Sequence, residues 1–529
     1  MLCLQRQRPH PIRQKNSLKN RKLDNNTLNY PTRGPVLESV VESKKTGGAN
    51  PQFLWYDLRD WIDQAEKLGE LQRIKGAESK LEISAISQVN ASRNGPALLF
   101  EDIKGYEPGY RVLTTSVVNI RTFNLTFGGN LNHGIRETVE HLIGKPNRWQ
   151  QEARNFPVEE VSSSPIMENV KTGKDIDLLK FPAPMWHDKD AGRFIGTGTA
   201  VITKDPDTGE LNVGAYRAQL YDKNLLGVNI GSGKHGSYHM KKWFERGEPM
   251  PAVMVFGPTP LLYCLSGSEV PTGISELEYY GAIRNERMKV IKGKATGLPI
   301  PANADLAVEG LIDPVKRRVE GPHGEWGGYY QSDTMDKPFL EVKTLYHRKD
   351  PIIVGAAMSK GSWNDHAFWR CTWKSALIYD ELAKNGLQNI KGVYFHPSGV
   401  GRKLCVISIK QAFAGHATEA GYLASQTRGA AYAGKWVIVV DDDVDPYDID
   451  DVLWAVCSRA DPAETGIIRD GWGGALFSKD RRSRGIIFAV TPFDKLEEYS
   501  QRTCFITEET KKTTVEKWSK VFNGRWDKR

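Results

Sequence analysis

Asn212, Arg217 and His235 are three side chains able to bind a metal or an anion, and they stand close together in the chain. The stretch Asn212-Val-Gly-Ala-Tyr-Arg217 is followed by Asp222-Lys-Asn224 and then by Gly233-Lys-His235-Gly. Further on, Ser266-Gly-Ser268 and Glu276 sit in a run of small residues that lets backbone approach a ligand closely. Amide oxygen, imidazole nitrogen and carboxylate oxygen form a mixed, fairly hard donor set with no thiolate. Such a set suits manganese or magnesium, with phosphate or water in the remaining positions, better than zinc. Taken singly, each residue has a plainer reading, as a turn asparagine, a surface cation and a loop histidine.

Two acids stand at Glu320-Gly-Pro-His-Gly-Glu325, where Gly321, Pro322 and Gly324 force a turn that lets both carboxylates face one cavity. Two carboxyls beside an arginine such as Arg217 are the elements of general-acid work near neutrality, although solvated loop acids would look the same. A geometric tension lies in the first motif, because residues five apart on a regular strand point to opposite faces. For Asn212 and Arg217 to face one ligand the strand needs a bulge, and Gly214 is the expected place.

The elements that must position these residues fall into five stretches. Residues 1–48 carry ten Lys/Arg against three Asp/Glu, so this head holds seven of the chain's eight net positive charges and reads as a disordered basic tail. A targeting segment would also begin without acids, the first being Asp24, but Pro9 and Pro11 interrupt an early amphipathic helix. Residues 49–160 open an α/β segment, with Leu58, Trp61, Ile62, Ala65 and Leu68 at helical spacing and strands near 71–74 and 97–100. A polar connection at 144–180 marks a boundary. Residues 161–345 give strand-like runs at 199–203, 211–221 and 252–256 and predict a β-rich barrel or sandwich. Residues 346–505 alternate strands, beginning at 352–356, with helices and predict a second α/β layer; residues 506–529 form a polar helix or arm.

With little charge left outside the tail, nucleic acid is not an expected partner, and no apolar run approaches the roughly 20 residues of a membrane-crossing helix. Six scattered cysteines without a C-x-x-C pair predict a reducing, cytoplasmic compartment.

In order and register, these motifs resemble the UbiD-type decarboxylases, including the fungal ferulic acid decarboxylases. The matching features are Asn212 with Arg217, Asp222-Lys223-Asn224, His235, Gly273-Ile-Ser-Glu276 and Glu320-Gly-Pro-His-Gly-Glu325. Asp441-Asp442-Asp443-Val444-Asp445 and Asp451-Val-Leu-Trp-Ala455 complete a series spanning about residues 180–495. The resemblance implies an α/β (α+β) protein with a central split β-barrel that binds prenylated FMN. It implies Mn²⁺ on Asn212, His235 and Glu276, and K⁺ beside Val213, Leu265, Ser266, Ser268 and Glu276. Asn212, Val213, Gly214, Ala215, Tyr216, Arg217, Lys234, His235, Ser266, Ser268, Glu276 and Arg484 are the implied flavin contacts. Arg217, Glu320 and Glu325 fall on the catalytic trio, with Glu325 as proton donor. The implied reaction is reversible non-oxidative decarboxylation of an aromatic, heteroaromatic or α,β-unsaturated acid through a covalent flavin adduct. A flavin prenyltransferase would supply the cofactor, and the assembly would be a homodimer or homohexamer.

Three positions depart from the ferulic acid branch: Lys234 replaces glutamine, Trp326 methionine and, by alignment, Arg484 lysine. They predict a more cationic pocket that suits a dicarboxylate, a phenolate or a coenzyme A thioester, unless Lys234 holds the flavin phosphate. The competing readings are a flavin-binding subunit without turnover and a metal-dependent hydrolase using Asn212, His235 and Glu276.

Overall fold

Leu58, Trp61, Ile62 and Ala65 share the buried side of a helix, Leu58–Lys67, which Asp57 caps by accepting from the backbone of Arg59 and Asp60. The computed structural model describes residues 53–271, 273–330, 335–361, 364–431, 434–469, 483–500, 504 and 506–522. The basic head and its expected disorder lie outside the described residues. Residues 49–529 form one compact unit.

The first helix covers a four-stranded sheet ordered Leu71–Lys75, Ala97–Glu101, Arg111–Thr114 and Ile352–Val354. The last strand is a correction, for it was expected to open the C-terminal layer. It instead pairs in parallel with the third, Ile352 opposite Arg111 and Val354 opposite Leu113. A short run of buried β-branched residues carries no information about its partner strand. The supposed connection at 144–180 is also structured. It holds the helix Lys145–Glu152, whose Trp149 stacks on Trp373 at 5.9 Å. Only Pro146 and Trp149 of this helix are buried, so no apolar period announces it, and a proline is well tolerated in a first turn.

The central sheet is curled into a half-barrel and, in hydrogen-bonded order, runs Phe194–Gly196, Ala218–Asp222, Leu225–Val228, Phe339–His347, Leu306–Ile312, Met250–Val255, Ala200–Lys204 and Leu211–Gly214. Its neighbours pair antiparallel, and Asn169–Thr172 adds to the long strand Phe339–His347. Both faces are buried. Ala200, Ile202, Val253 and Val255 join one core, whereas Val201, Ala252 and Met254 join another. A sheet covered on both faces reads as unbroken apolar runs such as Met250–Val255 rather than as strict alternation.

The C-terminal part is a five-stranded sheet ordered Ile390–Phe395, Leu404–Ile409, Trp436–Asp441, Arg484–Ala489 and Gly466–Ile468. The helices Phe368–Lys384 and His416–Gln426 cover one face and Ile449–Arg459 the other. The Asp441-to-Asp445 motif lies at the end of its middle strand, where Arg459 pairs with Asp441 at 3.1 Å and with Asp443 at 2.6 Å. Residues Glu508–Trp518 form the expected polar terminal helix. Among the described residues, no helix is long and apolar enough to cross a membrane.

Candidate active site

The strand Leu211–Gly214 stops at its glycine, and three residues leave the sheet before Ala218 resumes it. This break, rather than the expected bulge, relieves the tension between Asn212 and Arg217. Tyr216 folds back over Gly214, where a Cβ would lie 2.3 Å from the ring, so a side chain at this position would displace the Tyr216 ring. The departing backbone is tied down by Ala215 N–H, which donates to the Ser266 carbonyl at 2.8 Å.

Arg217 ends this excursion, buried, with its guanidinium gripped as a fork. Its Nε and Nη2 donate to the two oxygens of Glu320 at 2.7 and 2.8 Å, and Nη1 donates to Glu325. Burial opposes the charge of Arg217, but the two carboxylates outweigh it and raise the group's proton affinity. Glu320 is 1% exposed and closes the strand Arg318–Glu320. The loop to Glu325 turns at Gly321, whose φ of 80° favours glycine, and its backbone is held twice: Gly321 N–H by Gln219 at 3.1 Å, Gly324 N–H by Asp190 at 3.0 Å. The three residues expected to act together are thus brought together.

Asp190 and its neighbours were not singled out in the sequence. Its carboxylate also accepts from Trp186 and His187 N–H at 3.1 and 3.0 Å, and His187 and His323 approach it at 3.4 and 3.3 Å. The imidazole contacts are close enough for ion pairing but are not aligned as hydrogen bonds. These side chains lie within 4.8 Å of one another, yet with three backbone donors already on Asp190 the cluster works as a hub that fixes the acidic loop. The ring of His187 packs directly on Gly324, next to Glu325. The run Trp186-His-Asp-Lys-Asp190, a histidine followed by two acids, was the available signal.

Burial works against the charge of Asp190, but the two imidazoles hold its carboxyl well below the usual carboxylate range. Burial likewise opposes charge on His187, while Asp190 and the Met358 carbonyl raise its proton affinity. A carboxyl held low contributes stability above its unfolded value, about 4, and loses it as the pH falls further. An imidazole held high contributes below about 6.5 and loses it as the pH rises past that value. The cluster is therefore expected to stabilise the protein most between about pH 4 and 6.5, and Asp190→Asn to remove that maximum. Urea midpoints across the pH range check this, and parallel curves for parent and variant would count against it.

The expected metal ligands come from three elements. Asn212 is buried on its strand, and its amide nitrogen leans on Thr203 Oγ1 at 3.4 Å, which leaves the oxygen as acceptor. His235 and Glu276 are the first residues of the helices His235–Glu245 and Glu276–Arg284. Glu276 is 4% exposed, and burial pushes its carboxyl up to about 8, even though it accepts from Val213 N–H at 2.6 Å. A buried carboxyl of this kind, beside an amide oxygen and an imidazole, fits a divalent cation.

An open cleft of about 970 Å³ and a narrower cavity of about 120 Å³ meet at Asn212, Gly233, His235 and Glu276. Asn212, Val213, Gly214, Ala215, Tyr216, Lys234, His235, Ser266, Ser268 and Glu276, ten of the twelve expected flavin contacts, line the narrower cavity. The hydroxyls of Ser266 and Ser268 donate to the carbonyls of Tyr263 and Cys264 at 2.7 and 3.0 Å, and Leu265 is buried beside them. Arg217 follows the lining residue Tyr216 in the chain. Arg484 is placed elsewhere: it lies in the C-terminal sheet, donates to the Ser425 carbonyl and lines a separate small cavity with Lys435 and Trp436. The cavity also has two basic lining residues that the sequence reading passed over, Arg370 and Arg402.

Three family models match the chain. The N-terminal domain of 3-octaprenyl-4-hydroxybenzoate carboxy-lyase matches residues 62–142, its Rift-related domain residues 159–361 and its C-terminal domain residues 367–485. The chain belongs to the UbiD family of carboxy-lyases. An uncharacterized protein of Archaeoglobus fulgidus is 33% identical over 434 residues, 78% of this chain and 86% of its own length. One from Aquifex aeolicus is 31% identical, covering 79% of this chain and 87% of its own. Among solved structures, the UbiD-class enzyme HmfF from Pelotomaculum thermopropionicum, in complex with FMN, superposes with a TM-score of 0.75 at 26% identity, over 86% of this chain and 98% of its own. The vanillic acid decarboxylase of Sedimentibacter hydroxybenzoicus, in its open form, reaches 0.73 at 27% identity, over 85% and 98%.

Proposed function

We propose that this protein removes CO₂ from an aromatic, heteroaromatic or α,β-unsaturated carboxylic acid, with prenylated FMN as cofactor. The observation that carries the reading is the fork of Arg217 between Glu320 and Glu325 beside the cavity. A flavin in complex with HmfF, FMN in one structure and prenylated FMN in another, supports the choice of cofactor. When bound, prenylated FMN supplies an electron sink for the bond to CO₂.

The chain's residues do the rest. Arg217 receives the substrate carboxylate, and Glu320 holds the guanidinium at a fixed angle. Glu325 delivers a proton to the carbon that CO₂ leaves and regains one from solvent. Asn212, His235 and Glu276 would hold Mn²⁺ against the flavin phosphate, neutralising a buried dianion. Backbone near Val213, Leu265, Ser266 and Ser268, with Glu276, would hold K⁺. The metal is an anchor in this scheme. A flavin prenyltransferase as supplier, a homo-oligomeric assembly and a cytoplasmic location belong to the same reading; HmfF is known in an evolved dimeric form, and the five described cysteines are all free.

The test is production together with a flavin prenyltransferase, followed by flavin absorbance and CO₂ release across a panel of acids. A flavin-loaded protein that releases CO₂ from at least one acid is expected, and chelation of the divalent ion is expected to strip flavin and activity together. Protein without flavin or CO₂ release would sink the reading. Activity in a colourless preparation would favour the metal-dependent hydrolase.

A further inference from the structure

Thr203 Oγ1 stands between two side chains that the decarboxylation scheme has not connected. It meets Nδ1 of His239 at 3.0 Å and receives the amide nitrogen of Asn212 at 3.4 Å. Among the described residues, these are the hydroxyl's hydrogen-bond partners. Strand register explains the second contact. Ala200–Lys204 pairs with Leu211–Gly214 so that Thr203 lies directly opposite Asn212, and the two side chains share one face of the sheet. The helix His235–Glu245 supplies the first contact, since it packs on both strands. His239 stands one turn beyond the expected metal ligand His235, on the same side of that helix. Thr203 is sealed from solvent, and Asn212 and His239 are each 6% exposed, so the hydroxyl has these two partners and no bulk water to bond.

A hydroxyl has one proton to give, and where it goes fixes the amide. When Thr203 donates to Nδ1 of a His239 protonated at Nε2, its oxygen is left to accept, and only the NH₂ end of Asn212 can satisfy it. The amide oxygen is then free for the junction of cleft and cavity that Asn212 lines with His235 and Glu276. With the opposite imidazole tautomer Nδ1 donates, the hydroxyl proton goes to the amide oxygen, and the NH₂ group faces the junction instead. The lone pair of an amide nitrogen is delocalised into the carbonyl and is not offered to a metal. That orientation leaves the donor set one ligand short.

We propose that His239, acting through the Thr203 hydroxyl, is a positioning residue that sets the amide of Asn212 with its oxygen toward the divalent cation. This rests on the metal assignment within the decarboxylase reading above. A side chain that the cation need not touch thus decides whether Asn212 can serve as a ligand. Partners of this kind typically change metal affinity by about 10- to 100-fold.

The experiment titrates Mn²⁺ into the full-length protein, first stripped of metal by chelation and then supplied with excess FMN, and reads the free ion by electron paramagnetic resonance. His239→Leu and, separately, the isosteric Thr203→Val are expected to weaken Mn²⁺ binding about ten-fold or more. His239→Asn, which restores an acceptor, and Thr203→Ser, which restores the hydroxyl, are expected to recover the parent affinity. In an Asn212→Asp background the first two substitutions are expected to change affinity by roughly two-fold at most, well under the second-shell range, because a carboxylate has no wrong end to present. Parent-like affinity in both His239→Leu and Thr203→Val overturns the proposal. So does an equal loss in the two backgrounds, which a further metal ligand or general damage to the fold would give. A parent protein that binds no Mn²⁺ overturns the metal assignment along with the proposal. Variants that behave as expected in a protein releasing no CO₂ support the relay and overturn the decarboxylase reading.

Discussion

The Glu325→Gln protein is expected to turn over about 10²–10⁴-fold more slowly than its parent while carrying the same amount of flavin, the range a positioned general acid contributes. Glutamine keeps the size of the side chain and a carbonyl oxygen for Arg217 Nη1, so the loop and the substrate carboxylate keep their places. What it lacks is a transferable proton. The loss should therefore fall on kcat with KM little changed, because the interaction removed is made only as the carbon is protonated. The expected metal and flavin ligands are other residues, so flavin absorbance should not move. Undiminished turnover would remove Glu325 from proton transfer.

Removing Arg217 should do more damage to the fold. Arg217→Leu leaves Glu320, 1% exposed, without the fork that now offsets its charge. Breaking a buried pair from one side typically costs about 3–5 kcal/mol, since one charge stays behind with no partner. The double variant Arg217→Leu with Glu320→Leu strands no such charge on Glu320 and is expected to unfold later than the single one. Thermal midpoints should rank parent, double and single in falling order. A single variant as stable as the parent would show that water or another group already satisfies Glu320. Both variants should be inactive, which separates the stability of the pair from its use.

Much of the site was legible because its motifs resemble those of a known family in order and register, even though Arg217 and Glu320 stand 103 residues apart. The run from Asn212 to Tyr216, Lys234, His235, Ser266, Ser268 and Glu276 all reach one cavity, and Arg217, Glu320 and Glu325 meet as expected. What escaped depends on pairings between distant elements. Asp190 matters through backbone donors at Trp186, His187 and Gly324, which no residue-type pattern reveals. Arg484 was placed at the flavin by alignment alone, whereas the strand Arg484–Ala489 carries it into the C-terminal sheet. Arg370 had a visible signal, a charge within the aromatic run Phe368-Trp369-Arg370-Cys371, because a cation on an apolar helix face is buried and needs a partner. Alternating strands and helices suggested the C-terminal layer, but the same rule misassigned Ile352–Val354, since its partner strand Arg111–Thr114 precedes the whole central sheet in the chain.

That misassigned strand sets a clock on biogenesis. The N-terminal sheet waits for its fourth strand across the roughly 240 residues between Thr114 and Ile352. At about 5–20 residues per second, the ribosome leaves the Arg111–Thr114 edge bare for on the order of 10–50 s. A nascent chain in that interval carries an exposed β edge beside a half-built barrel, the kind of surface that chaperones hold and that aggregation exploits.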